Sequence, residues 1–463
     1  MCDSLVLERG HVPDAAVVVP GDKSLTHRAI LFGALADGRS HIDAALDADD
    51  TRSSAGAARA LGAGVDWPAG GPVAVVGRGA AGLREPADVV DCGNSGTTLR
   101  LMIGIATGIP RGLTVLTGDA SLRGRPMRRV VEPLAQLGAH AWTRTDGAPP
   151  VAVRGGGVAG GHVGTSVPSA QVKSALLLAG LLGRGAVTVT EAVPTRDHTE
   201  RLLVQMGARL QRVGLASTID PGPLAPLTYR IPADPSAAAM WWVLAALTGG
   251  RVSTAGVLLN PTRTGLLTVL RQAGVAVAVE VEEERPEPVG RVVVRGAGAL
   301  RPIRLAAAAV PSLVDEVPLV ALLATQAHGH SRLEGLSELR VKETDRLHAV
   351  AVGLAALGAH VVEGPEALDI EGPTPLKGAL VDSGGDHRLA FTWAVAASVT
   401  DGPVRLAGAA AVSVSYPAFW RTLAETGAVT VHDPSGETKA GKNIHPPAVH
   451  QPPSPGHTGS GAV

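Results

Sequence analysis

Two short phrases alternate along this chain, and their alternation restricts its fold more than any other feature. The first is a helix end, a glycine and a strand: ALGAGV (60–65), QLGAHA (136–141), QMGARL (205–210), QAGVAV (272–277), ALGAHV (356–361) and ETGAVTV (425–431). The second is a small-residue helix, a glycine turn and an alternating strand, as in GALADGRSHID, GLLGRGAVTVTE and AASVTDGPVRLAG. Each phrase occurs six times, interleaved in fixed order. Glycine suits the first phrase because the residue after a helix is usually left-handed, a shape glycine takes at little cost. The pattern predicts six copies of one α/β unit with two helices each, and a single Rossmann sheet does not repeat in this way.

The 463 residues are 45% hydrophobic and 18% charged, a globular composition. Aromatics are only 2%, so the cores must be built from Ala, Val and Leu in closely packed helices. With 41 basic and 42 acidic residues there is no overall field to attract nucleic acid or membrane, so any anion site must be local. Two cysteines, Cys2 and Cys92, offer no disulfide framework. MCDSLVLERG lacks the basic-then-apolar order of a secretory signal, and the longest apolar run, 237–247, is too short to span a bilayer. A soluble cytoplasmic protein is expected. The last stretch, 433–463, is rich in Pro, Gly, Ser and His and reads as a disordered tail.

The helix starts carry an anomaly. The positive end of a helix dipole favours acids, yet in LRVKETDRL (339–347) Arg340, Lys342 and Arg346 crowd what reads as the first turns. Lys23, Arg28, Arg100, Arg125, Arg196 and Arg388 sit in comparable places. If equivalent helix ends face one way, their N–H groups and these cations line one cleft for phosphates and carboxylates. Among them Asp315 and Glu316 are flanked by apolar residues, and Glu343 lies between Lys342 and Arg346. A carboxylate beside cations is held ionised, whereas one against apolar walls can carry a proton near neutral pH. A plain structural role stays open for each: a helix cap for Asp315, an i,i+3 pair with Arg346 for Glu343.

The phrases PGDKSLTHRA, GNSGTTLR, GRPM, SAQVKSALLLAGL, RVKETDRL and GDHR, in this order, resemble the 5-enolpyruvylshikimate-3-phosphate synthases, or 3-phosphoshikimate 1-carboxyvinyltransferases, of the enolpyruvyl transferase family. The resemblance covers roughly 5–430. It implies a two-domain inside-out α/β barrel, each domain three repeats of a βαβαββ unit, with the active site between them. The domains expected are 21–233, and 1–20 with 234–432, the chain crossing near Pro20–Gly21 and Ala233–Asp234. The implied reaction moves the enolpyruvyl group of phosphoenolpyruvate to the 5-hydroxyl of shikimate 3-phosphate by addition and elimination, with no cofactor and no metal, in a monomer. By motif, Lys23, Asn94, Gly96, Arg125, Gln171, Arg346 and Arg388 would hold phosphoenolpyruvate. Lys23, Ser24, Arg28, Ser169, Ala170, Gln171, Arg196, Asp315 and Lys342 would hold shikimate 3-phosphate. Asp315, Glu343 and Lys23 would be catalytic, with Asp50 and Arg100 as supports.

Three positions depart from common family patterns: Val414 stands where many members have a Lys, Glu338 where some have Asn, and Ala170 where some have a second Ser. Gly96 leaves the room associated with glyphosate sensitivity. The sister UDP-N-acetylglucosamine enolpyruvyl transferases are an alternative, but they usually carry Asn at the place of Ser24 and Cys at that of Ala120. A non-catalytic or repurposed paralogue is a second alternative, for which Val414 speaks. GRGAAG (77–82) matches a dinucleotide-binding pattern, but Pro86 follows where a long helix should run, so it reads as a turn. The 15 His show no metal-ligand spacing with acids or Cys.

Overall fold

A computed structural model describes residues 4–433 apart from 166 and 297, so Cys2 and all of the expected tail except Asp433 lie outside the described residues. The fold is mixed α/β, with six four-stranded sheets among the described residues. All six share one order. A parallel pair lies at one edge, and its inner strand runs antiparallel to the third strand, which runs antiparallel to the fourth. Thus Val187–Thr190 lies between Gly161–Gly164, parallel to it, and Ala216–Ile219, antiparallel to it, with Leu210–Val213 outermost. The glycine of each first phrase (Gly62, Gly138, Gly207, Gly274, Gly358 and Gly427) is left-handed. Each is followed by the outermost strand of its sheet.

Among the described residues twelve α-helices accompany the sheets, two to a unit: α1 (Lys23–Leu35) and α2 (Asp49–Ala60), α3 (Gly96–Thr107) and α4 (Arg128–Gln136), α5 (Ala170–Leu181) and α6 (His198–Gln205), α7 (Pro235–Thr248) and α8 (Gly265–Gln272), α9 (Val317–Ala324) and α10 (Arg346–Ala356), α11 (His387–Ala396) and α12 (Phe419–Thr426). The first of each pair is buried nearly all round, the second on one face only. Strands alternate buried and more exposed residues, so the sheets turn one face to solvent and the first helices fill the interior. Small residues permit this layering. A Cβ on Gly104 of α3 would lie 2.2 Å from the Ala175 carbonyl oxygen of α5. GRGAAG is a strand end and a short 3-10 turn, as read from the sequence.

Two cores result. One gathers Leu25 to Ile231 with Leu258; the other gathers Leu5 to Val19 with Ala237 to Val431. The chain therefore starts in the half it finishes: Ser4–Arg9 lies between Val404–Ala407 and Val429–His432, and Asp14–Val17 pairs with Arg251–Leu258. It passes between the cores twice, and the two passages run side by side. The Asp22 amide donates to the Pro232 carbonyl (2.8 Å) and the Asp234 amide to that of Pro20 (2.9 Å). Asp22 then caps α1 and Asp234 caps α7. Arg263, buried, ties both capping carboxylates together, 2.8 Å from Asp22 and 2.9 Å from Asp234.

Removing one partner of a buried charge network leaves the others unpaired and desolvated. Arg263→Met should therefore destabilise the protein by about 3–5 kcal/mol, measured by urea denaturation; a loss below about 1 kcal/mol, the scale of an exposed pair, would show that the crossing does not depend on this guanidinium.

Candidate active site

Between the two cores lies a cavity of about 700 Å³, walled by the N-terminal ends of helices from both halves. Asp22, Ser95, Ser169, Asp234, Asp345 and Asp386 cap α1, α3, α5, α7, α10 and α11 with their side chains. That frees the cationic residues beside them to project into the space. Ten Lys and Arg side chains line it against five Asp and Glu, an excess of five positive charges in a chain whose formal net charge is −1.

Of the residues singled out in the sequence, Lys23, Ser24, Arg28, Gly96, Arg125, Ser169, Ala170, Gln171, Arg196, Asp315, Lys342, Glu343, Arg346 and Arg388 all border this cavity, with Asp50 and Arg100. Asn94 does not. It stands behind Arg125, accepting from its Nη2 at 2.7 Å while donating to Asp119 at 2.6 Å. Val414, half-buried in a 3-10 turn, is not on the wall either. A Cβ on Gly96 would come 3.1 Å from Arg100 Nη1 and 3.2 Å from Arg125 Nη1, so this position keeps two guanidinium groups close to the backbone.

The reading of LRVKETDRL needs correction. Residues Ser337–Val341 form a 3-10 turn and α10 starts only at Arg346, so Arg340 and Lys342 precede the helix. Arg340 also has its own counter-charges, Asp345 and Glu363, both at 2.9 Å, and is not on the cavity wall. Its surface acids were too far along the chain, or too ordinary, to be recognised as its partners. Lys342 and Arg346 alone from this trio face the cleft.

Specific contacts arrange the cations. Lys23 Nζ is 2.5 Å from Asp50. Arg28 donates to Thr199 (2.7 Å), to Ser174 (3.0 Å) and to the Ser24 carbonyl (3.0 Å). Burial, opposed by Asp22 and Glu200, takes its pKa down to about 10. Arg100 donates to Gln171, which in turn donates to Thr97. Burial, with Arg129 and Arg125 nearby, also brings Arg100 to about 10. Arg346 is held by Asp386 at 2.8 Å and reaches Glu343 at 2.5 Å and Asp315 at 3.6 Å.

The two central carboxylates have the same electrostatics. Burial pushes the Asp315 carboxyl up, but Arg196 (2.7 Å), Lys342, Arg388 and Arg346 together hold it well below the usual range. Burial also raises Glu343, and Arg346, Arg125, His387 and Lys342 outweigh it, so this group too is strongly acidic. The structure thus contains the i,i+3 pair of Glu343 with Arg346, yet the same carboxylate faces the cavity. Asp315 does not cap α9, which starts at Val317 without a side-chain cap. Neighbouring Glu316 behaves oppositely: burial and then Asp315 raise its pKa, and it accepts from Ser236.

Sequence reasoning missed several members. His387, inside the GDHR phrase, lines the cleft as a neutral imidazole because burial, Arg388 and Lys23 oppose its proton. Arg129, Asp234 and Arg263 also line it, with partners about 200 residues away that no local pattern exposes. Asp197, His198 and Glu287 bring ligand atoms within 4.8 Å of one another, which His spacing alone does not suggest. Asn260 donates to both acids, and Arg201 donates to Asp197 and lies 3.7 Å from Glu287.

A sequence profile described as EPSP synthase (3-phosphoshikimate 1-carboxyvinyltransferase) matches residues 9–423. A protein of Chloroflexus aurantiacus (strain ATCC 29366 / DSM 635 / J-10-fl) named 3-phosphoshikimate 1-carboxyvinyltransferase is 48% identical over 417 residues, covering 88% of this chain and 95% of the relative. One of the same name from Synechococcus sp. (strain CC9605) is 47% identical over 429 residues, 91% and 97% of the two chains. A solved structure of EPSP synthase from Acinetobacter baumannii is similar with a TM-score of 0.82 at 36% identity, covering 93% of this chain and 100% of that one. The enolpyruvyl transferase NikO from Streptomyces tendae shares the fold, with a TM-score of 0.76 at 18% identity over 95% and 100% of the chains.

Depressed carboxyl pKa values stabilise the folded state above the unfolded value, about 4, and that contribution is lost as pH falls through the folded values. Side-chain carboxyl NMR of the empty protein should show Asp315 and Glu343 still ionised as pH falls below about 4. An inflection of either near its ordinary value would mean that the cations do not dominate the cleft.

Proposed function

The chain belongs to the EPSP synthase family, and from that premise we propose how its cleft transfers the enolpyruvyl group of phosphoenolpyruvate to the 5-hydroxyl of shikimate 3-phosphate. The observation that carries the proposal is the excess of cations drawn from both halves around two ionised carboxylates. Both substrates are phosphorylated carboxylates, so together they supply the missing negative charge. Relatives at 46–48% identity carry the same enzyme name, which disfavours the UDP-sugar and repurposed-paralogue readings.

Shikimate 3-phosphate would lie against Lys23, Ser24, Arg28, Ser169, Ala170, Gln171, Arg196 and Lys342, with its 5-hydroxyl toward Asp315. Phosphoenolpyruvate would lie toward Lys23, Gly96, Arg125, Gln171, Arg346 and Arg388, with Asn94 acting through Arg125. Asp315 takes the hydroxyl proton as the oxygen attacks the central carbon of phosphoenolpyruvate. Glu343, protonated, gives a proton to the methylene carbon. In the elimination Glu343 takes a proton back from the new methyl group as the C–O bond to phosphate breaks, and phosphate leaves with the proton that the hydroxyl gave up.

Glu343 is ionised in the empty cleft, so it must gain a proton when the substrates arrive. Their phosphates and carboxylates neutralise Arg346, Arg125 and Lys342, the charges that hold it down, and burial then raises its pKa. Substrate charge thereby switches Glu343 from structural counter-ion to proton carrier. We take 21–233 as one domain and 1–20 with 234–432 as the other. The paired crossings at Pro20–Gly21 and Ala233–Asp234 support this division, and closure over both substrates aligns them. A cytoplasmic monomer suits a site built wholly from one chain, in which no described helix is long and apolar enough to cross a membrane.

The test is release of inorganic phosphate from the two substrates. Glu343→Gln should slow it ~10²- to 10⁴-fold while binding of shikimate 3-phosphate persists, and Lys23→Met should abolish measurable turnover. Wild-type protein that binds shikimate 3-phosphate but releases no phosphate would sink the reading. Gly96→Ala, by crowding Arg125 and Arg100, should raise KM for phosphoenolpyruvate several-fold and leave that for shikimate 3-phosphate unchanged; an equal rise in both would place Gly96 elsewhere in the site.

A further inference from the structure

Among the described residues, three ion pairs join cavity-lining side chains of one half to those of the other: Arg125–Glu343 at 3.7 Å, Arg196–Asp315 at 2.7 Å and Arg129–Glu338 at 2.8 Å; Arg201–Glu287 and the Arg263 network join the halves off this wall or at the crossing. The first two join groups that the proposed reaction gives to substrates or to proton transfer, so incoming anions compete for their cations. The third has no such role. Arg129 and Glu338 both border the cavity, with side chains only 15% and 28% exposed.

Their positions in the chain give the pair leverage. Arg129 lies in the first turn of α4, four residues after Arg125, and is anchored to the first core. Glu338 lies in the 3-10 turn Ser337–Val341, immediately before Lys342 and Glu343, and is anchored to the second core through Leu339. Joining Arg129 to Glu338 therefore sets the distance between the segment bearing Arg125 and the segment bearing Glu343. The charges also interlock. Arg129 and Arg125 both crowd the buried Arg100, whereas Glu338 and Glu343 relieve it. When a bound anion engages Arg125, Glu338 remains as the acid that keeps Arg129 from repelling its neighbours.

We infer that Arg129 and Glu338 are positioning residues, a latch across the cleft mouth that survives substrate binding and holds Arg125 opposite Glu343. This deepens the transferase reading and rests on it for its kinetic consequence. Without the latch, the ion pairs left between cavity-lining side chains of the two halves, Arg125–Glu343 and Arg196–Asp315, are ones that substrates compete for, and the remaining ties lie off the cavity wall or at the crossing. The cost then falls on assembling the closed complex rather than on the folded state of either half.

The experiment compares wild type, Glu338→Gln, Arg129→Gln and the double swap Arg129→Glu with Glu338→Arg, in the full chain. In phosphate release each single variant should raise KM for phosphoenolpyruvate about tenfold, lower kcat less, and melt at the wild-type temperature. The swap should recover most of the loss. Small-angle scattering with shikimate 3-phosphate bound should show both single variants more expanded than wild type, and the swap compact. Singles with wild-type KM and wild-type scattering would overturn the inference. So would a swap as impaired as the singles, since each residue would then act only within its own half. If wild type releases no phosphate, the transferase reading fails, while the scattering comparison still decides whether the pair holds the halves together.

Discussion

Like charges held in one cavity repel, and the architecture can be read as the means of holding them there. Ten cationic side chains converge on a space of about 700 Å³ with half as many acids. Rigid surroundings must absorb that repulsion. The capping carboxylates do so in part, Asp386 behind Arg346 and Asp22 and Asp234 around Arg263, and Asp50 in the first turn of α2 does so beside Lys23. The cavity-facing acids Asp315 and Glu343 do so at the front, and these are the groups with which substrate anions compete. The helix dipoles reinforce the repulsion rather than relieving it, because it is the positive ends that meet there.

The folded frame keeps this charge arrangement fixed. The first helix of every unit is interior, so its cap and first turn are located by packing along its whole length. Side chains projecting from such ends are pre-oriented, which suits electrostatic stabilisation of a reacting anion. With few aromatic residues, the interior depends on Ala, Leu and Gly at near-contact distances. The approach of α3 to α5 at Gly104 is one such place, and the approach of α10 to Trp393 of α11 at Gly353 is another.

The sixfold plan was legible because glycine and helix caps are local signals: all six phrase glycines are left-handed, and five of the six small-residue helices start at a side-chain cap, α9 being the exception. The cluster at the cavity was legible as a set, since motif order and unfavourable dipole placement pointed the same way. What stayed hidden depends on distance along the chain. Arg340 looks like its neighbour Lys342 in sequence, yet Glu363 claims it. Arg263 looks like an ordinary arginine after a proline, yet its partners lie 241 and 29 residues away. Glu338 stood out only as an unusual residue, and Arg129, 209 positions earlier, supplies the physical reason for it. The ionised state of Glu343 was also out of reach, because it depends on the balance of burial against four cationic or polar neighbours.

The strand Ser4–Arg9 has a consequence for synthesis. It emerges first, but both its sheet neighbours, Val404–Ala407 and Val429–His432, emerge last. At ~5–20 residues per second on a ribosome, its backbone groups wait on the order of tens of seconds for partners, while the contiguous first core can already close. An unpaired apolar strand is a template for pairing with another nascent chain. The strand ends in Glu8 and Arg9, with His11 just beyond, and this polar end helps to keep the waiting segment in water. The two halves, alike in design, are therefore unequal in birth: one is finished as it appears, and the other is assembled from the two ends of the chain.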